Sequence, residues 1–217
     1  MRIISIRKGF TSDHSSTSYE FLAVDKALGK EERAKVASLS SRAAPTSRRV
    51  SFVYNVDGYD IPGGWQKLME EYYDVMYEES YDWWTFALAF NSSEEDLEYL
   101  SKYEFAGEDD LGIEVEIIGN RVIVVIYCRV NMAYIDDPYD YDEDDDEEEV
   151  VGFVSEDGLL NLLIQVRQQL MNRDYRTLYA VWEKYGDPDE EDELDIRIPE
   201  DKEEGKNIVE QFRNVLN

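Results

Sequence analysis

Cysteine is all but missing, since Cys128 is the only one. A lone thiol excludes an internal disulfide and any Cys-rich zinc site, and such usage fits a reducing compartment. Histidine is as scarce, with His14 alone. No stretch approaches the ~18 apolar residues of a membrane span. Met1-Arg2-Ile3-Ile4-Ser5-Ile6-Arg7 is too short and too interrupted for a signal peptide, so the expected location is cytoplasmic. Basic residues are the last shortage: 22 Lys and Arg stand against 50 Asp and Glu, a formal net charge of −28. Residues 1–50 hold 10 Lys or Arg against 5 Asp or Glu, a net of +5, which leaves −33 on the rest. That charge repels nucleic acid and anionic membranes and steers the chain toward basic protein partners.

Aromatics are plentiful, 16 Tyr and 4 Trp among 217 residues, so a core is available and the chain should fold as one domain or a domain with an appendage. The firmest local signal is Gly112 to Val130. Ile113, Val115 and Ile117 alternate with Glu114 and Glu116, and Gly119-Asn120 suits a two-residue turn. Ile118 then faces Arg121, and Val122, Val124 and Ile126 fall opposite Ile117, Val115 and Ile113, with Cys128 and Val130 continuing that face. All are expected in the core. Ile123, Val125 and Tyr127 make the second strand apolar on both sides, which places it inside the sheet and its glutamate-bearing partner nearer an edge.

Strands are also expected at Ile3–Phe10, Ser18–Val24, Arg49–Val56, Asp74–Glu79, Trp83–Phe90 and Val150–Val154. Helices are expected from Gly29 to Leu39, from Gly64 through Tyr72, and after a Ser92 or Ser93 cap. Three more follow Ser155, an Asp174 cap, and the acidic linker Asp187–Asp195. The second carries a stripe of Trp65, Leu68, Met69 and Tyr72. Arg42, Arg48 and Arg49 read as an exposed basic cluster in a linker. The expected fold is α+β: a mixed, largely antiparallel sheet with packed helices over residues 1–154, and a C-terminal helical region over 155–217 packed on the same core.

Candidate chemistry is sparse. His14 lies beside Asp13 and the hydroxyls of Ser15 and Ser16, but adjacent residues rarely reach the relay geometry that nucleophilic catalysis needs, and a structured loop explains the run as well. Cys128 sits on an apolar face, where a thiol is inert. Asp140, Asp142 and Asp144 have calcium-loop spacing, yet Asp145 and Val151 stand where glycine and glutamate are required, so no metal site is assigned. Gly63-Gly64 before a helix could cradle phosphate, but the surrounding acids oppose an anion. No cofactor is expected.

Asp136 to Glu149 holds 11 acids in 14 residues. It reads as a solvated loop, as a docking site for a basic partner, or as a nucleic-acid mimic whose carboxylates stand where phosphates would. Acids on ordered elements imitate better: Glu70, Glu71, Glu78, Glu79, Glu94, Glu95 and Asp96 are interleaved with Tyr72, Tyr73, Tyr77 and Tyr81. Trp83 and Trp84 point to opposite faces of a strand, so one is core and the other packs under a helix or anchors a partner.

The segment Asp13-His14-Ser15-Ser16-Thr17-Ser18-Tyr19-Glu20-Phe21 resembles one found near the start of a set of uncharacterised bacterial proteins. Ser80-Tyr81-Asp82-Trp83-Trp84 and Asn172-Arg173-Asp174-Tyr175-Arg176-Thr177-Leu178-Tyr179 are similar to theirs as well. The resemblance implies no activity; it singles out the His14 loop and the Tyr/Trp strand.

The functional expectation is a non-enzymatic acidic interaction protein, an adaptor or inhibitor that binds a basic protein surface, with nucleic-acid mimicry as the sharper form. Its contact residues would be Glu70, Glu71, Tyr73, Tyr77, Glu78, Glu79, Tyr81, Asp140, Asp142, Asp144, Asp145 and Asp146. The alternative is a hydrolase-like enzyme built on His14, Asp13, Ser15 and Ser16.

Overall fold

The computed structural model describes residues 17–54, 60–119, 121–131, 156–187 and 198–217. The strands expected at Ile3–Phe10 and Val150–Val154, Asn120 of the hairpin turn, the run Asp136–Glu149 and all but Asp187 of the second acidic linker lie outside them.

Seven strands form one sheet: β1 (Thr17–Leu22), β2 (Arg49–Tyr54), β3 (Val75–Ser80), β4 (Trp83–Asn91), β5 (Phe105–Ala106), β6 (Gly112–Ile118) and β7 (Arg121–Cys128). Their order is β2-β1-β3-β4-β7-β6-β5. Every pairing among the described residues is antiparallel. Six α-helices are described: α1 (Lys30–Ala37), α2 (Trp65–Glu71), α3 (Glu94–Ser101), α4 (Glu156–Met171), α5 (Arg176–Tyr185) and α6 (Lys206–Val215).

The central hairpin has the register its alternation demands, with Ile118 opposite Arg121, Val115 opposite Val124 and Ile113 opposite Ile126. β7 is interior, between β4 and β6, and β6 is next to the short edge strand β5. Ile117 departs from expectation at 50 % exposed. Its register partner Val122 on β7 is fully buried, so the covering layer reaches this level of β7 but not of β6.

Alternation along the strands divides the sheet into two buried faces. Val75, Tyr77, Trp84, Phe86, Leu88, Val122, Val124, Ile126 and Cys128 share one cluster with Leu159, Leu163, Val166, Leu178, Phe212 and Val215 of α4, α5 and α6. The C-terminal helices therefore build the same core as the sheet. On the opposite face, Phe21, Met76, Ala87, Ala89, Ile123 and Val125 pack with Val36 of α1, Trp65, Leu68 and Met69 of α2, and Tyr73. Each fully buried aliphatic side chain contributes roughly 1.5–3 kcal/mol before ordering entropy is counted. Within the expected α2 stripe, Tyr72 is only half-buried.

Polar side chains lock the strand ends. Asp74, buried just before β3, accepts from the Val24 and Asp25 amides at 2.7 and 2.9 Å and from Arg121 at 3.0 Å. Arg121 also donates to the carbonyls of Met69 and Tyr73. Arg167 of α4, 2 % exposed, donates to the Ala89 carbonyl at 2.7 Å and to Asp25. Both helical layers are thus tied to one end of the sheet.

Two local expectations need correction. Arg48 and Arg49 are not a free basic cluster: Arg48 donates to the carbonyls of Ala23 and Val24, and Arg49 pairs with buried Glu20 at 2.8 Å. Tyr175, not Asp174, is the residue preceding α5. Asp174 is instead clamped by Arg176 at 2.9 and 2.8 Å, and the same guanidinium reaches the carbonyls of Lys202 and Glu204. Ser93 does cap α3, accepting from the Asp96 amide at 3.2 Å.

Candidate interaction surface

The α2 side of the sheet is not apolar throughout. β3 and β4 extend beyond the part that α2 packs against, and the alternation that puts Met76 and Ala87 under the helix puts Glu78 and Thr85 past it. By register, Tyr19, Glu78, Thr85 and Tyr127 stand opposite one another in sequence across β1, β3, β4 and β7. Glu78, Thr85 and Tyr127 are half-buried. Glu114 and Glu116 share that face of β6, about 7 Å apart from the strand rise, and Tyr127 donates its hydroxyl to Glu114 at 2.9 Å.

Among the described residues the row is short of positive charge. Tyr19 donates to Asp60 at 3.0 Å and also lies in hydrogen-bonding contact with Glu78, so two carboxylates converge on one hydroxyl proton. Burial pushes the Glu78 carboxyl above the ordinary glutamate range, Asp60 adds to the shift, and the hydroxyls of Tyr19 and Thr85 oppose it. Glu116 is raised too, by burial and then by Glu114. Tyr19 and Tyr127 are pushed up by burial and by these acids and remain protonated donors. Among the described residues, Asp60, Glu78, Glu114 and Glu116 form no ion pair. Acids elsewhere do, such as Glu32 with Lys26, Asp96 with Arg173 and Glu183 with Arg213.

Trp83 borders this row. Trp84 is core at 3 % exposed, whereas Trp83 is 42 % exposed on the Glu78 side of the sheet. The Arg129 guanidinium lies over its ring, 5.2 Å from the centroid, and is held by Asp109 at 2.8 Å. Tyr81, at the tip of the β3–β4 hairpin, is 48 % exposed and takes a φ of 56° that disfavours a bulky side chain.

The residues expected to make contact divide accordingly. Glu70, Glu71 and Tyr81 are exposed and Glu78 is half-buried in the row just described. Tyr73 and Tyr77, at 0 % and 1 % exposed, are interior and present nothing to a partner. Glu79 is also buried, at 8 %, and accepts from Ser18 at 3.3 Å. The reasons differ: α4 covers the Tyr77 and Glu79 side of β3, whereas Tyr73 is buried on the opposite face against Phe21, ring centroids 5.4 Å apart. Asp140, Asp142, Asp144, Asp145, Asp146, and Asp13, His14, Ser15 and Ser16 lie outside the described residues. Sequence reasoning did not single out Asp60, Glu114, Glu116, Tyr19 and Tyr127 as contacts. The outward glutamates of β6 were the available signal, but their alignment with Glu78 depends on strand order.

Burial raises the thiol of fully buried Cys128. Among the described residues no group of His, Cys, Asp or Glu could hold a metal ion. No helix in them is long and apolar enough to cross a membrane. A cleft of about 590 Å³ runs between Gly107 and Tyr185, with Asp109, Arg129 and Lys184 on its walls. A second, of about 310 Å³, is lined by Tyr99, Tyr103 and Tyr175. In comparisons with known proteins, no family model, no curated protein and no solved structure matches the chain.

Proposed function

We propose that this protein is a non-enzymatic acidic interaction protein, an adaptor or inhibitor that docks on a basic protein surface. The observation that carries this reading is the set of four carboxylates, Asp60, Glu78, Glu114 and Glu116, gathered at one side of the sheet and forming no ion pair among the described residues. Like charges placed near one another repel, and Glu78 and Glu116, which are partly buried, also resist desolvation. A partner's lysines and arginines would relieve both effects, and the net charge of −28 would steer that partner in from a distance. Glu70, Glu71 and Tyr81 supply further exposed contacts. The sharper form, imitation of nucleic acid, applies where the partner is itself a nucleic-acid-binding protein.

The test is a comparative capture from native lysate. The parent chain is run beside a Glu78→Gln/Glu114→Gln/Glu116→Gln variant and a control that removes three exposed charges elsewhere, Glu98→Gln/Glu203→Gln/Glu210→Gln. A basic protein retained by parent and control but lost with the first variant supports the reading. Equal capture by all three counts against it. An oligonucleotide that displaces the captured protein would support mimicry, and one without effect would remove that form.

A further inference from the structure

The docking face also carries a mark of which cation it takes. Trp83 stands at the end of the acidic row, opposite Arg129 and diagonal to Glu78 in the β3–β4 register. A diagonal neighbour on an antiparallel pair is within reach of a long side chain. One side of the indole is taken by the chain's own guanidinium, 5.2 Å from the ring centroid, yet 42 % of the residue is still exposed. The ring thus has surface left after its internal partner is seated. Beside it stand carboxylates that form no ion pair among the described residues, and Tyr127 of the same row adds a second aromatic body.

We propose that the open surface of Trp83 seats an arginine side chain of the partner, so that the partner segment is arginine-bearing rather than merely basic. This rests on the acidic-surface reading above. A guanidinium is planar, stacks on an aromatic ring, and turns its edge donors to a carboxylate while it is stacked. Next to Trp83 it meets both requirements at once, ring below and Glu78 alongside. A lysine ammonium meets the charge requirement but forms no planar stack. The arrangement repeats what the chain does internally, where Arg129 lies on Trp83 and bonds Asp109 at 2.8 Å.

The experiment measures affinity of the full chain for equal-length oligo-arginine and oligo-lysine peptides at fixed ionic strength. Parent, Trp83→Thr, Trp83→Leu and the Glu78→Gln/Glu114→Gln/Glu116→Gln variant are compared. Both Trp83 replacements suit a strand, and thermal melts identify whichever is folded. The expected result is tighter binding of oligo-arginine by the parent, with about two- to fivefold of that preference lost in the Trp83 variants while oligo-lysine affinity stays level. If the triple glutamine variant weakens both peptides but the Trp83 variants leave the arginine preference intact, the arginine seat is overturned and the acidic surface stands. If the triple variant changes neither affinity, or neither peptide binds, the acidic surface falls and the seat falls with it.

Discussion

Arg121 reaches across the end of the sheet to Asp74 at 3.0 Å, while the other carboxylate oxygen of Asp74 holds the amides of Val24 and Asp25. Three separate stretches of chain meet at that one side chain, and Arg167 of α4 lies 3.9 Å from it. Removing one member of a buried charge pair leaves the other uncompensated, typically at a cost of about 3–5 kcal/mol. Asp74→Ala is therefore expected to lower the unfolding free energy by that order in a denaturant titration. Asp74→Asn keeps an acceptor and should cost less. Equal stability of Asp74→Ala and parent would show that the network is decorative.

Val124 is completely buried between β4 and β6 on the face covered by the C-terminal helices. A carboxylate there has no partner and no water, a penalty larger than the stability of most domains. Val124→Asp should abolish the cooperative thermal transition seen by circular dichroism. A folded Val124→Asp would contradict the placement of this strand at the centre of the core.

That strand was legible from its letters because Gly119-Asn120 fixes the turn, and a two-residue turn fixes the register. The alternation of Ile113, Val115 and Ile117 gave the face correctly but not its extent, so Ile117 came out exposed: a strand's period does not reveal where the covering layer ends. The same gap hid the interior tyrosines. Tyr77 lies among glutamates and reads as half of a polar surface, but β3 is a central strand with helices on both sides, and centrality depends on long-range pairing. The two-residue strand β5 has too few residues to show a period at all. For the acidic face, single carboxylates were visible; that Glu78, Thr85 and Tyr127 stand in one row needed the order β3-β4-β7, which no local pattern encodes.

The row should be visible in the pH dependence of stability. Burial raises the Glu78 carboxyl above its ordinary value, with Asp60 adding to the shift. A carboxyl whose folded pKa exceeds its unfolded value binds more protons when folded, so its stabilising contribution is complete below the ordinary glutamate pKa of about 4.3 and is lost as pH rises through the raised value. Glu78→Gln is thus expected to melt above the parent at pH 7, with the gap closing as the pH falls below the ordinary range. A variant less stable than the parent at neutral pH would mean that Glu78 is well compensated and is not waiting for a cation.

If the Glu78, Glu114 and Glu116 face docks on a basic protein, the interaction must depend on ionic strength. The affinity of the full chain for its captured partner is measured across a salt series, for the parent and for the Glu78→Gln/Glu114→Gln/Glu116→Gln variant. Exposed charge pairs are screened within about 8–10 Å at ordinary salt, so a charge-driven interface weakens as salt increases. A steep fall is expected for the parent and a weaker, shallower dependence for the variant. An affinity indifferent to salt, or identical slopes for the two proteins, would contradict that docking.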